Sequence, residues 1–157
     1  MPNVAFNVFW RKILSGDFSW NDDFTVRCLL VDNSSTYQPN KDHANIQQMK
    51  GAGLVEVATA TGYKRGTVQE KTVEIVEINN NRIPVLMGGP VHFGAIEEGV
   101  TIKAVVMFGR EGISDQDAVD FPIVYIDQAT GLPKESNGGV ILWNPGANGF
   151  LRLAPCP

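Results

Sequence analysis

Two imidazoles, three closely spaced glutamates, one acidic loop and two thiols are the side chains here with the types that chemistry needs. Nucleophilic hydrolysis requires a nucleophile, a base and a group that orients the base. His43 and His92 are the only imidazoles. His43 follows Asp42 in a polar stretch, the setting of a solvated or loop-pinning histidine. His92 alternates with Val91 and Phe93, which places it on the polar face of a strand. A carboxylate pair for glycoside hydrolysis can be drawn from Glu70, Glu74 and Glu77, yet glutamates so spaced on an exposed strand form its solvated side. The run Ser114 to Asp120, SDQDAVD, offers oxygens to calcium but lacks the glycine and terminal glutamate of an EF-hand. Cys28, inside an apolar run, reads as a buried free thiol, with a disulfide to Cys156 as the alternative. No catalytic residue, cofactor or metal is expected.

The segment Leu54 to Val68, LVEVATATGYKRGTV, organises the rest. It alternates Val55, Val57 and Thr59 against Leu54, Glu56 and Ala58, then reaches Gly62, where the backbone can take positive φ. Tyr63 is expected to pack over the chain reversal, with a ligand contact as the alternative. Lys64 and Arg65 read as a solvated turn or as a grip on an acidic patch of another protein.

Around this corner the chain reads as strands. Phe6, Phe9, Trp10 and Ile13 fall at helical spacing over Ala5 to Leu14, and Gly16 can stop the helix. So aromatic a stripe must either cap the open end of a sheet or bury itself in a neighbouring subunit. Phe24 to Val31 alternates as a core strand. Asp32 to Gly53, with Tyr37, is a long connection in which Asn45 to Lys50 can form a helical turn. Thr67 to Ile78 reads as one long strand with a bulge near Ile75, turning at Asn79, Asn80 and Asn81 into Ile83 to Met87. Arg82 lies beside that tip, which should project into solvent or toward a partner. Val91 to Phe93, Thr101 to Phe108 and Ile123 to Asp127 follow, and Val140 to Trp143 is expected to pair with Phe150 to Leu153.

About eight or nine short strands between Gly, Pro and Asn turns, with one N-terminal helix, predict a mainly β fold, an antiparallel β-sandwich or barrel. The 157 residues fit a single domain, with 1–16 as an N-terminal helical arm and 17–157 as the β-sandwich. A net charge of -4 argues against a nucleic-acid partner, because phosphate binding needs a basic face. No apolar run approaches the roughly 20 residues that span a bilayer. The amino terminus lacks the n-region and h-region of a signal peptide, so an unexported chain without a membrane partner is expected.

The order of features carries one further signal: an N-terminal Phe-rich helix, FTVRCLL, Tyr37-Gln38-Pro39 with Asp42-His43, EVATATGYKRGT, VHFGAI, TIKAVVMF, IVYID, then ILWN with GFLRL. From Phe6 to Leu153 this resembles a family of small tailed-bacteriophage virion proteins, found among head decoration and minor structural proteins. The chain departs from that pattern at Thr67, where a second glycine is common, and at Phe93, where a tryptophan is frequent. The resemblance implies a non-enzymatic capsid decoration, or cement, protein on the outer surface of the virion, made in the host cytoplasm. Its implied partners are the major capsid protein and copies of itself, as a homotrimer. A tail or head-fibre adsorption module that binds the host surface is the alternative. The candidate contact elements are the N-terminal helix, the Asp32 to Gly53 arm and the hairpin tip, with Phe6, Phe9, Trp10, Ile13, Tyr37, Lys64, Arg65, Asn80, Asn81 and Arg82 as the contact residues.

Overall fold

The computed structural model describes residues 3–21, 23–145 and 149–152, with side chains at all of these except position 78. Among them are eleven strands, two short α-helices and one 3-10 turn. In chain order the elements are β1 (Val4–Ala5), α1 (Asn7–Ser15), β2 (Val26–Asp32), α2 (Ile46–Gly51), β3 (Gly66–Thr67), β4 (Thr72–Ile78) and β5 (Asn81–Met87). They continue with β6 (Val91–Ala95), β7 (Thr101–Gly109), β8 (Phe121–Ile126), β9 (Lys134–Glu135), β10 (Val140–Trp143) and β11 (Leu151–Arg152). The fold is mainly β, antiparallel and sandwich-like, and no sheet closes into a barrel.

The main sheet runs β1-β8-β7-β2-β3, with β9 added to β7. Its centre is the β2–β7 pair, in register from Val26↔Gly109 to Val31↔Ala104 before a shift at Asp32. β7 and β8 are buried along nearly their whole lengths, as expected for strands covered on both faces. On one side the two-stranded β10–β6 sheet brings Phe93 and Ile141 to an apolar pocket shared with Leu30, Ile102 and Val105. On the other, Phe18 meets the Phe121 ring edge-on at 5.3 Å, and Tyr37 lies 5.7 Å from Tyr125.

The N-terminal helix forms where the periodicity puts it, from Asn7 to Ser15. Gly16, at φ 80°, ends it in the left-handed conformation that an L side chain resists, and donates its N–H to Ile13 O. Its aromatic stripe caps the chain's own sheet: Phe6 and Phe9 are fully buried, and Phe9 packs on Phe18. Residues before the helix add a strand that the sequence pattern did not suggest, because two residues carry no period.

Four expectations are corrected. Leu54 to Ala58 is not a regular strand: it makes a single bridge, Val31↔Glu56, and buries Leu54 and Val57, three residues apart, before the 3-10 turn Thr59–Thr61. The long strand from Thr67 is broken, with β3 ending at Thr67 and β4 beginning at Thr72. No bulge occurs at Ile75, since β4 and β5 pair without a slip from Thr72↔Met87 to Ile78↔Asn81. Finally, β10 and β11 do not pair with each other. β10 pairs with β6 and β11 with β5, because strands this short carry too little pattern to choose a partner.

Candidate functional site

Two regions gather the polar side chains: a braced cluster beneath the Gly62-Tyr63 corner, and the β4–β5 hairpin.

The corner is fixed by its glycine. Gly62 sits at φ 90°, and a Cβ there would lie 2.2 Å from Ala95 O, so a side chain would meet both strain and a clash. Tyr63 is thereby driven inward, where its hydroxyl donates to Glu56 Oε1 at 2.8 Å and accepts the Leu30 N–H at 3.1 Å. Burial, reinforced by the Glu56 charge, raises its pKa far above the ordinary tyrosine value. Tyr63 packs over the reversal, as the sequence suggests.

Arg65 follows and grips acids of its own chain. Its Nε and one terminal nitrogen reach Glu56 Oε1 and Oε2, both at 2.7 Å, and that terminal nitrogen also reaches Asp117 Oδ1 at 2.8 Å. Its guanidinium carbon stands 5.2 Å from the centre of the Phe108 ring. Lys50 Nζ bridges the same two carboxylates, at 2.8 Å from Glu56 and 2.7 Å from Asp117. Arg27 joins from β2, 2.9 Å from Asp115 and 2.8 Å from Thr67 Oγ1. Burial alone would raise the pKa values of Glu56 and Asp117, but the hydrogen bonds and charges of Arg65 and Lys50 outweigh it and hold both below the usual carboxylate range. An open groove of about 680 Å³ runs over this cluster. Arg27, Lys50 and Arg65 are paired with Glu56, Asp115 and Asp117, so the cations that line the groove are held by acids of the same chain.

Asp120 closes the same acidic loop from inside, accepting the N–H groups of Glu111 and Gln116. The loop is therefore a structural tie between α2, β2 and the corner, and no cluster of three or more metal-ligating side chains occurs among the described residues. His43 receives or gives a hydrogen bond at Nδ1 with the Tyr37 hydroxyl, 2.9 Å away, and so pins its loop. His92 is exposed on β6, opposite Leu142. Cys28 is a buried free thiol whose pKa burial raises; the pairing with Cys156 lies outside the described residues.

The hairpin is the opposite case. Asn79 and Asn80 both take positive φ, 52° and 62°, which makes a two-residue turn of the type that matches strand twist. Its base is clasped: Val85 and Leu86 are buried, Trp20 Nε1 donates to Met87 O at 2.8 Å, and β11 pairs with Val85 and Leu86. Beyond Val85 the ribbon has only two strands. β4 is the edge of its sheet, with every residue from Thr72 to Glu77 exposed or half-buried. Val73 and Ile75 are 52% and 53% exposed on one face, in line with Glu77, and Glu74 stands on the other. Regular alternation from the turn makes Ile75↔Pro84 a pair without mutual hydrogen bonds, the position where a residue lacking an N–H fits.

Of the ten contact residues inferred from sequence, Asn80, Asn81 and Arg82 lie exposed at this tip, and Lys64 is exposed beside the corner. Trp10 and Ile13 are half-buried against the core. Phe6, Phe9 and Tyr37 are not available as contacts, since they fill the chain's own interior, and Arg65 is committed to Glu56 and Asp117. Val73 and Ile75, absent from those ten, stand exposed on the same hairpin. The apolar phase slip that reads as a bulge is their mark in the sequence, because β4, exposed or half-buried from Thr72 to Glu77, has no buried face to hold a strict alternation.

No protein-family model, curated protein or solved structure matches this chain.

Proposed function

We propose that the chain is a capsid decoration protein that bridges major capsid subunits on the outer surface of a bacteriophage head, acting as a homotrimer. The observation that carries this reading is the β4–β5 hairpin. It is a ribbon anchored at its base by Trp20, Leu86 and β11, with β-branched side chains left in water along an open edge. A two-stranded ribbon is at best marginally stable alone, and Val73 and Ile75 leave about half of their surface in water in the isolated chain. A protein contact supplies what is missing. Many such modest contacts, repeated over a shell, add by avidity and oppose outward pressure by mass action.

The adsorption alternative has less support. A glycan-binding surface is favoured by exposed aromatic rings, and here the most accessible ones, Trp10, Phe24 and Trp143, are half-buried while the rest are buried.

The test is binding to shells assembled from the cognate major capsid protein, counting bound copies per shell. Removal of residues 1–16 is a poor probe, because it takes Phe6 and Phe9 out of the core. The informative variant is Val73→Asp/Ile75→Asp, which leaves the core intact. Saturation at a multiple of the lattice, lost in that variant, is expected. Wild-type protein that ignores shells and binds tails or host envelopes would overturn the reading.

A further inference from the structure

We infer that the open edge of β4 is a docking edge for one extended strand of another protein, and that the strand it takes is basic. This deepens the decoration reading by giving the chemistry of the partner segment.

The backbone argument comes first. β4 pairs with β5 on one side, and among the described residues no backbone hydrogen bond joins its other side to anything. Strand alternation directs the free N–H and C=O groups of Val73, Ile75 and Glu77 outward, at the residues whose exposed side chains share a face. Seven residues at strand rise give an edge of about 24 Å, long enough for a full added strand.

Charge then selects the occupant. The edge strand carries Glu74 and Glu77 and no lysine or arginine between Thr72 and Ile78. Arg82 lies opposite Glu77, but on β5. An incoming strand would sit about 5 Å from β4 and about 10 Å from β5, so it meets the glutamates directly and the arginine at roughly a Debye length.

A second copy of β4 is a poor occupant for the same reason. Antiparallel pairing about a two-fold axis places residues of like parity opposite one another. With the axis on Glu74 or Glu77, that glutamate faces itself. With the axis at Val73, Ile75, Val76 or Ile78, Glu74 or Glu77 stands diagonal to its own counterpart, still within reach. Every central register therefore sets like charges against each other, which is how an edge is barred from self-pairing.

The fitting strand runs antiparallel and reads, from its amino end, a basic residue opposite Glu77, any residue, an apolar one opposite Ile75, a basic one opposite Glu74 and an apolar one opposite Val73. The acetylated heptapeptide Thr-Lys-Thr-Val-Lys-Val-Thr has this pattern, and its counterpart with glutamate for lysine is the control. NMR titration of the isolated full chain should show the basic peptide moving the amides of Val73, Ile75 and Glu77, with affinity falling as salt rises. Ile75→Pro, which removes an outward N–H without touching a bond to β5, should abolish those shifts while β5 amides keep their positions. Glu74→Lys with Glu77→Lys should reverse the preference between the two peptides by about tenfold. No shift at millimolar basic peptide, equal response to the acidic one, or β4 shifts that depend on protein concentration alone would each overturn the inference. Peptide binding without shell binding would leave it standing and defeat the decoration reading. Shell binding that survives Ile75→Pro would do the reverse.

Discussion

The corner at Gly62 and the hairpin at Asn79 are built from similar materials: a left-handed turn, β-branched residues, glutamates and an arginine. At the corner the acids beneath the turn are paired inside the chain, with Glu56 held by both Arg65 and Lys50. On the hairpin the glutamates stand in water and the apolar side chains beside them are half uncovered. Residue type alone does not separate a brace from an open edge. What separates them is whether other parts of the chain arrive to satisfy the groups.

That contrast can be broken at its strongest point first. Arg65→Ala should leave Glu56 and Asp117 partly buried with Lys50 as their remaining cation, at a cost of about 3 kcal/mol in chemical denaturation. In thermal melts this is a fall of roughly 6–12 °C for a chain of this size. Lys64→Ala, next door and exposed, should change stability by less than about 0.5 kcal/mol. Equal effects at the two positions would remove the distinction.

Tyr63→Phe tests the same brace more gently. It deprives the buried Leu30 N–H of its acceptor and Glu56 of a donor, a loss of about 1–2 kcal/mol by urea unfolding.

Acid should act on the brace. Glu56 and Asp117 have folded pKa values below their ordinary ones, so the unfolded chain binds more protons as pH drops. Their contribution is present above the ordinary carboxylate range and is lost as pH falls through the folded values. Asp120 runs the other way, since burial raises its pKa despite the N–H groups of Gln116 and Glu111, and its protonation relieves a cost. Urea midpoints measured downward from pH 6 should therefore fall, and Arg65→Ala should flatten that slope. An unchanged slope would show that the brace does not titrate as described.

The smallest expected effect belongs to the hairpin. Val73→Thr and Ile75→Thr should each shift stability by no more than about 0.5 kcal/mol, while weakening partner binding. A loss comparable to that of Arg65→Ala would mean these side chains serve the fold.

The sequence by itself determined the elements whose information is local. The period of Phe9, Trp10 and Ile13 set α1, and Gly16 stopped it; the alternation of Thr101 to Phe108 set β7; paired asparagines set the turn between β4 and β5. The mainly antiparallel class follows from the number of such runs and turns. Only the tertiary structure decided which partner each strand end takes, that the aromatic stripe of α1 is absorbed by β8 and Phe18, and that Arg65 is spent on Glu56 and Asp117. The reason is distance along the chain. A turn or a period is written in neighbouring residues, whereas the contact between Arg65 and Asp117 exists only after the intervening strands have closed. Burial is decided in the same way, so Val73 and Ile75 look like core residues in the sequence and stand in water because no third strand reaches them.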